Sequence, residues 1–248
     1  MRTAVISHSS IINKNREQFR KIPGEVRIFG PSKWYDKSYR LQIEAEISED
    51  YTPVTVLFKS KPNLHLYSPF LLRKLMEYSP DIIFVHEEAW APACAFTAFF
   101  SGGRLPPFVF YSNEQKQEKI STARRIIQDY VFKKASGAVA VSKAAASRIK
   151  DNGFSAPVCV VPYSINQMPS KGYFPGKVLK AGYIGRFIKE KGVLDLAEAL
   201  KGVDGITVKT AGDGPCAEEF KNSVENSGVP LDFMGYVPHD KTDNFYSG

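Results

Sequence analysis

The chain has 248 residues, 43% hydrophobic and 24% charged, a composition that excludes a disordered or fibrous protein. Its net charge of +7 favours anionic partners, and no helix-turn-helix, RRM or zinc pattern accompanies the charge, so nucleic-acid binding is not expected. The cysteines at positions 94, 159 and 216 are odd in number and far apart, which excludes a disulfide framework and a CxxC metal knuckle. The polar N-terminus is unlike a signal peptide, and the longest apolar stretch, residues 91–100, is about half of the ~20 residues that span a membrane. These features predict a soluble, cytoplasmic protein.

Short apolar segments alternate with helical patterns over residues 1–165. Seven segments predict strands because they are short, β-branched or aromatic, and bounded by Gly, Pro or polar residues: 3–7, 26–29, 54–58, 82–85, 108–111, 138–141 and 158–161. A one-sided apolar pattern predicts a helix over 123–131, and Ser142 is a candidate N-cap of a second helix that Gly153 would end. Continuously apolar strands separated by helices indicate a parallel sheet covered on both faces. Residues 1–165 are therefore predicted to form a doubly wound, Rossmann-like α/β domain.

A second α/β series follows a segment that has no apolar period. Residues 166–177 contain two Pro and two Gly and are predicted to be a linker. Beyond it, strands are predicted over 178–184, 206–210 and 231–234, with helices over 190–200 and 216–224 and a further helix starting at Asp240. Three strands with an exposed edge make a poor independent sheet, so we expect residues 178–248 to be an incomplete second domain of a C-terminally truncated chain.

The positive charge lies in the first part of the chain. Residues 1–165 hold 23 Lys and Arg against 15 Asp and Glu, a net charge of +8, whereas residues 166–248 have a net charge of −1. Three basic clusters contribute: Arg16 with Arg20 and Lys21, Arg124 with Arg125, and Lys133 with Lys134. Two interpretations stay open, namely solvated helix faces, or a first domain that meets an anionic surface or acceptor.

Two glycine turns follow strands of the second series. In the first, residues 185–192, Gly185 ends a strand and Arg186 and Lys191 lie near a helix start, where an Arg and a Lys suit a diphosphate. In the second, Gly212 and Gly214 allow a positive φ or a close backbone approach. The alternatives are two solvated cations and a tight turn without a ligand. Both turns are placed at the carboxyl ends of adjacent parallel strands, where open α/β sheets bind ligands.

Two histidines of the first domain also follow strands. His8 follows the first strand, and His86, Glu87 and Glu88 follow the strand over 82–85, although a structural role is common for such residues. The spacing of this H-E-E run does not match HExxH and no third ligand accompanies it, so no metal site is predicted. The chain has no GxSxG, Walker A or GxGxxG motif, which argues against serine acyl transfer, P-loop chemistry and ordinary dinucleotide binding.

Three motifs in order resemble the sequence pattern of glycosyltransferase family 4. They are Tyr183-Ile184-Gly185-Arg186 with Glu190-Lys191-Gly192-Val193, then Ala211-Gly212-Asp213-Gly214-Pro215, then Met234-Gly235-Tyr236-Val237-Pro238. In the first domain, Ser7-His8-Ser9-Ser10, His86 and the Ala140-Val141-Ser142 run agree with this resemblance.

The resemblance implies the GT-B architecture of two Rossmann-like domains and a metal-independent, mostly retaining transferase of the hexosyltransferase type. By similarity, Arg186 and Lys191 would grip the donor diphosphate as catalytic groups, with Gly185, Gly212 and Gly214 in the donor turns. The main chain at Tyr236 and Val237 would contact the base, and His86 would lie near the transferred sugar. On the acceptor side would stand His8, Ser9, Ser10, Glu87 and Glu88. The E-x7-E element of the family is not reached before Gly248, which agrees with the expected truncation.

The resemblance also implies the partners. The donor would be a nucleotide-diphosphate sugar and the acceptor a saccharide or polyprenyl-linked molecule of envelope polysaccharide synthesis, with no cofactor. The basic first domain would then touch the anionic inner face of the cell membrane. Two alternatives stay open: a GT-B sugar-nucleotide 2-epimerase, and an inactive fragment that binds a nucleotide or a partner.

Overall fold

A computed structural model describes residues 1–36, 41–61, 64–115, 120–163, 178–238 and 241–246. The described residues form two compact units: unit 1 comprises residues 1–36, 42–61, 64–115 and 120–163, and unit 2 comprises residues 178–238 and 241–246 together with Leu41. The predicted linker, 166–177, lies outside the described residues. Among the helices that are described, none is both long enough and apolar enough to cross a membrane.

Unit 1 is an α/β unit. Its described strands are β1 (Arg2–Ile6), β2 (Glu25–Pro31), β3 (Lys33–Asp36), β4 (Leu41–Glu44), β5 (Tyr51–Val54), β6 (Val56–Leu57), β7 (Leu66–Tyr67), β8 (Ile82–Val85), β9 (Phe108–Ser112), β10 (Gly137–Ala140) and β11 (Val158–Val160). Its described helices are α1 (Glu17–Arg20), α2 (Phe70–Tyr78), α3 (Pro92–Phe100), α4 (Thr122–Lys134) and α5 (Lys143–Asp151). Seven of the strands form one parallel sheet in the order β11-β10-β9-β8-β1-β2-β5, and β3–β4 and β6–β7 form two small pairs.

The large sheet is buried on both faces, as its apolar strands predict. One face carries Ala4, Ile6 and Phe29 into the main core, and the other carries Val5 and Ile28 against Phe19 of α1. The predicted doubly wound α/β domain is confirmed. From β1 the chain builds β2 and β5 on one side of the sheet and β8 to β11 on the other, so the topological switch lies between β1 and β8. Ligands of open α/β sheets bind at the carboxyl ends of such a strand pair.

Two of the predictions for unit 1 have different outcomes. Ser142 caps α5 as predicted, because its Oγ accepts a hydrogen bond from the amide of Ala145 at 3.1 Å. The single strand predicted over 54–58 is wrong. Val54 ends β5 in the parallel sheet, whereas β6 turns away and pairs antiparallel with β7.

Unit 2 is built on a three-stranded parallel sheet in the order β12-β13-β14. Its elements are β12 (Leu179–Ile184), α6 (Val193–Ala199), β13 (Ile206–Ala211), α7 (Ala217–Ser227), β14 (Leu231–Phe233) and α8 (Thr242–Tyr246). Helices α6 and α7 cover one sheet face through a core that includes Phe187 and Phe220, and Phe245 of α8 lies against Gly182 on the other face.

The helix predicted over 190–200 starts later in the structure. Residues Lys189–Lys191 form a single 3₁₀ turn, and Gly192 has a left-handed φ of +68° before α6 begins. This backbone conformation interrupts the i to i+4 hydrogen bonds, so Lys191 lies in the turn and not on the helix.

Candidate functional site

A histidine–glutamate pair stands at the switch between β1 and β8. The register pairs Ile6 with Val85, so His8 and Glu87 leave neighbouring strand ends. Glu87 Oε1 lies 2.6 Å from His8 Nδ1 and also accepts a hydrogen bond from the His8 amide at 2.9 Å. Burial alone would lower the pKa of His8, but the charge of Glu87 and its hydrogen bond raise it. Burial alone would raise the pKa of Glu87, and His8 lowers it instead, so each side chain favours the charged form of the other.

His86 occupies a drier position beside this pair. Its ring stacks on Tyr111 with centroids 4.2 Å apart, and its Nδ1 lies 3.3 Å from Ser7 Oγ. Burial lowers the pKa of His86 to about 4, so the ring is neutral at physiological pH. A neutral imidazole can donate or accept one hydrogen bond to an uncharged hydroxyl without adding a charge.

Glu88 is held by the protein. Its Oε1 accepts hydrogen bonds from the amides of Asn113 and Glu114, at 2.6 and 3.0 Å, and its Oε2 accepts from Ser112 Oγ at 3.0 Å. The largely buried guanidinium of Arg148 lies 3.3 Å from the same Oε2. These contacts support a structural role in joining β9 to α5, and the acceptor-side role of Glu88 stays a prediction.

The loop that carries His8 is held by hydrogen bonds, including one from the buried guanidinium of Arg16. Ser10 Oγ donates to the carbonyl of Ser7 at 2.6 Å, and Ser9 Oγ lies 3.0 Å from Ser7 Oγ. Arg16 is fully buried, donates to the carbonyl of Ser10 at 2.6 Å, and lies over the ring of Tyr51 at 3.5 Å. Arg16 therefore does not contribute to a basic surface, and its grouping with Arg20 and Lys21 as an exposed cluster is wrong.

A third histidine joins His8 and Glu87, and no sequence motif pointed to it. His65, just before β7, is fully buried, and its Nε2 lies 3.6 Å from Glu87 Oε1. The three candidate ligand atoms lie within 4.8 Å of one another, a group that could hold a metal ion within the described part of the chain. The long segment between β1 and β8 brings His65 here, so its distance in sequence from both partners hides it.

In unit 2 the three turns at the carboxyl ends of the strands are bonded to one another through backbone atoms. The amide of Gly185 donates to Ala211, that of Gly212 to Gly235, and that of Phe187 to Asp213, at 2.7–3.0 Å. Gly212 has a φ of +138°, and a Cβ there would stand 1.8 Å from the carbonyl oxygen of Gly185. Gly214 has a φ of +155° and equally approaches the backbone of Phe187. The close backbone approach that Gly212 and Gly214 allow is thus an approach of one turn to another.

The two cations of the first turn are exposed. Arg186 and Lys191 lie after β12 with their side chains in solvent, and the carbonyl of Arg186 accepts a hydrogen bond from the Tyr183 hydroxyl at 3.1 Å. Tyr236, also exposed, and the half-buried Val237 follow β14 in the third turn. The structure thus brings the predicted donor residues to one edge of the sheet in unit 2, and His8, Ser9, Ser10, His86, Glu87 and Glu88 to one edge in unit 1.

Comparison with known proteins identifies a family. A sequence model of Glycosyltransferase Family 4 matches residues 17–167, which is more than half of the chain. No curated protein sequence matches the chain significantly.

Similar folds occur among solved structures. Anabaena HepE in complex with UDP matches with a TM-score of 0.64 and 14% identity over 98% of this chain and 71% of that one. The lipopolysaccharide outer core galactosyltransferase WaaB matches with a TM-score of 0.55 and 16% identity, over 98% and 70% of the two chains. A UDP-N-acetylglucosamine 2-epimerase matches with a TM-score of 0.57 and 9% identity, over 99% and 71%. At these identities the similarity establishes the fold alone, and the chain spans about 70% of the length of each protein.

The folds of the two units are those expected for the family that the sequence model identifies. The fold is that of GT-B proteins, with two Rossmann-like parallel-sheet units of which the second is small. The expected fold class and family are confirmed, and the chain belongs to glycosyltransferase family 4.

Proposed function

We propose that the protein transfers a hexose from a nucleotide-diphosphate sugar to a saccharide or lipid-linked acceptor, with retention of the anomeric configuration. The observation that carries the proposal is the set of three joined turns in unit 2, which present Arg186 and Lys191 to solvent. It stands in a chain of glycosyltransferase family 4, and Anabaena HepE, a protein of similar fold, binds UDP.

The donor diphosphate binds at the first turn. Arg186 supplies a planar fork that can hold two phosphate oxygens, and Lys191 supplies a compact charge. The main chain at Tyr236 and Val237, in the third turn, contacts the base. Because the turns are joined by backbone hydrogen bonds, the main chain that carries these groups is fixed before the donor arrives.

The two cations act mainly as the bond to the donor breaks. The C1–O bond between sugar and diphosphate breaks, the bonding electron pair leaves with the diphosphate, and C1 bonds to an acceptor oxygen whose proton is released. Negative charge therefore grows on the diphosphate, and fixed cations stabilise that charge more in the transition state than in the ground state. This chemistry requires no metal ion.

Residues of unit 1 handle the sugar and its acceptor. His86, whose pKa is lowered to about 4 by burial, offers the sugar a neutral hydrogen-bonding group. His8, Ser9 and Ser10 lie in the loop after β1, and the acceptor approaches this edge of the sheet. The acceptor belongs to envelope polysaccharide synthesis at the cytoplasmic face of the membrane, which the basic charge of residues 1–165 would favour.

The first prediction concerns the two cations. Arg186→Ala and Lys191→Ala should each lower the rate of sugar transfer at least about 100-fold, because each removes a charge that stabilises the leaving group. Lys201→Ala is the matched control, since Lys201 is an exposed lysine of unit 2 that follows α6 and pairs with Glu198. Transfer is measured by mass spectrometry of products from a panel of UDP-, GDP- and ADP-sugars with saccharide and polyprenyl acceptors.

The same experiment separates the alternatives. Isomerisation of the donor sugar in the absence of any acceptor would indicate a 2-epimerase instead of a transferase. Transfer that persists at the wild-type rate in both Arg186→Ala and Lys191→Ala would contradict the assigned donor site.

A further inference from the structure

His8, His65 and Glu87 form a group of candidate metal ligands. Two imidazole nitrogens and one carboxylate oxygen converge from three separate segments, the loops after β1 and β8 and the residue before β7. Nitrogen and oxygen ligands of this kind suit zinc, and two histidines with one glutamate form an established zinc ligand set.

The distances are close to those of a coordination shell. Zinc binds imidazole nitrogen and carboxylate oxygen at about 2.0–2.2 Å, so ligands of a tetrahedral ion lie about 3.4 Å apart. Here Glu87 Oε1 lies 2.6 Å from His8 Nδ1 and 3.6 Å from His65 Nε2, and no pair in the group exceeds 4.8 Å. Movements of about 1 Å or less would open the first distance, and His8, 26% exposed, is the side chain with room to move.

The surroundings favour a bound cation at this point. His65 is 0% exposed and the side chain of Glu87 is 5% exposed, so the carboxylate charge is held in a dry pocket. The hydroxyl of Tyr67, whose ring contacts His65 with centroids 5.3 Å apart, is buried without a hydrogen-bond partner among the described residues. Trp34 packs against both histidine rings, at 5.3 and 5.6 Å, and holds their planes.

We infer that unit 1 binds one zinc ion through His8 Nδ1, His65 Nε2 and Glu87 Oε1. The ion takes the place of the proton shared by His8 and Glu87, and that proton passes to solvent. A water molecule fills the remaining position, because the described residues offer three ligands. The bound ion ties the segments of His8, His65 and Glu87 together at the switch edge. The inference does not depend on sugar transfer.

The test is binding of zinc alone to the full chain. Cys159, an exposed free thiol, is first replaced by serine so that it cannot capture the metal. The chain is treated with a chelator, dialysed and titrated with zinc chloride by calorimetry, and cobalt chloride provides an optical spectrum. We expect one ion per chain and the intense d–d bands of four-coordinate cobalt.

Three substitutions locate the ion. Glu87→Gln and His8→Gln should each weaken zinc binding more than about tenfold, and His65→Ala should do the same if circular dichroism shows that it folds. His86→Asn is the matched control and should bind as the parent chain does, because His86 faces Ser7 and Tyr111. Absence of saturable binding, or binding that survives both Glu87→Gln and His8→Gln, overturns the inference.

Discussion

Asp50 shows how one exposed-looking carboxylate contributes to stability. Arg20 holds it with two hydrogen bonds, at 2.7 and 3.2 Å, and Ser48 Oγ donates to it at 2.6 Å. These contacts, that of Arg20 first, lower the pKa of Asp50 from 3.8 to about 2. A lowered pKa means that the contribution is present above pH 3.8 and is lost as the pH falls through 2.

The second prediction follows from this shift. Asp50→Asn should lower the free energy of unfolding by about 1–2 kcal/mol at pH 7, where the ion pair is complete. The difference between the two proteins should shrink steadily from pH 5 to pH 2. Urea denaturation over this range measures it, with Asp129→Asn, on the exposed side of α4, as the control that should change little. A difference that is independent of pH would contradict the pairing.

Some residues of the site could be predicted from the sequence, and others could not. His8 and His86 were predictable because each follows an apolar strand, and parallel strands bring their carboxyl ends to one edge. His65 was not predictable, since it precedes a two-residue strand and meets Glu87 only through the tertiary fold. Arg16 was misassigned because its neighbours are basic, while its burial depends on carbonyl partners such as Ser10 and Glu46.

The joined turns of unit 2 depend on Gly212. Its φ of +138° is strained for any side chain, and a Cβ would collide with the Gly185 carbonyl 1.8 Å away. Either turn must therefore move before another residue can be accepted.

The third prediction is that Gly212→Ala disrupts unit 2. The free energy of unfolding of this unit should fall by at least about 3 kcal/mol, since both strain and overlap oppose the substitution. Gly103→Ala is the matched control, because Gly103 lies in a turn with open space at its Cβ position, and it should stay within about 0.5 kcal/mol. Urea denaturation, monitored by hydrogen exchange of the backbone amides in β12 and β13, reports on unit 2 directly. Unchanged protection in Gly212→Ala would contradict the packing of the turns.

Most strands of the two parallel sheets were predictable, and the strands of the two small pairs were not. β8 has the predicted bounds, 82–85, because four apolar residues are flanked by polar ones. β3, β4, β6 and β7 have two to four residues each and pair outside the large sheet, so no alternation is long enough to indicate them. The start of α6 was displaced because the backbone of Gly192 is set by its turn and not by the apolar pattern.

The net charge is unevenly distributed along the chain. Residues 1–165 carry a net charge of +8. Arg16 is buried, but Lys133 and Lys134 at the end of α4 are exposed, as is Arg125. Exposed basic side chains attract an anionic lipid surface, by about 1 kcal/mol each close to the surface, and salt screens them.

The fourth prediction is that the full chain binds anionic vesicles. Cosedimentation with phosphatidylserine-containing vesicles should exceed that with phosphatidylcholine vesicles and should fall as salt is raised from 0.05 to about 0.5 M. Lys133→Gln with Lys134→Gln should weaken binding several-fold, whereas Lys201→Gln, in unit 2, should not. Equal binding to both kinds of vesicle would exclude an electrostatic contact.

The architecture of unit 2 was predictable because three motifs keep their order along the chain. Each motif lies at the carboxyl end of a strand of one small sheet, so the order of motifs fixed the order of turns: Ile184-Gly185-Arg186, Ala211-Gly212-Asp213 and Met234-Gly235-Tyr236. What the motifs could not predict is that the glycines are needed between turns, because each motif contains only its own half of the contact.

Calorimetric titration of the full chain with UDP, GDP and ADP tests whether the turns of unit 2 bind the donor nucleotide. We expect saturable binding of at least one of them, weakened more than about tenfold by Lys191→Ala and unchanged by Lys201→Ala. A chain that binds none of the three, or a Lys191→Ala variant that binds as tightly as the parent, would contradict a donor site at the turns of unit 2.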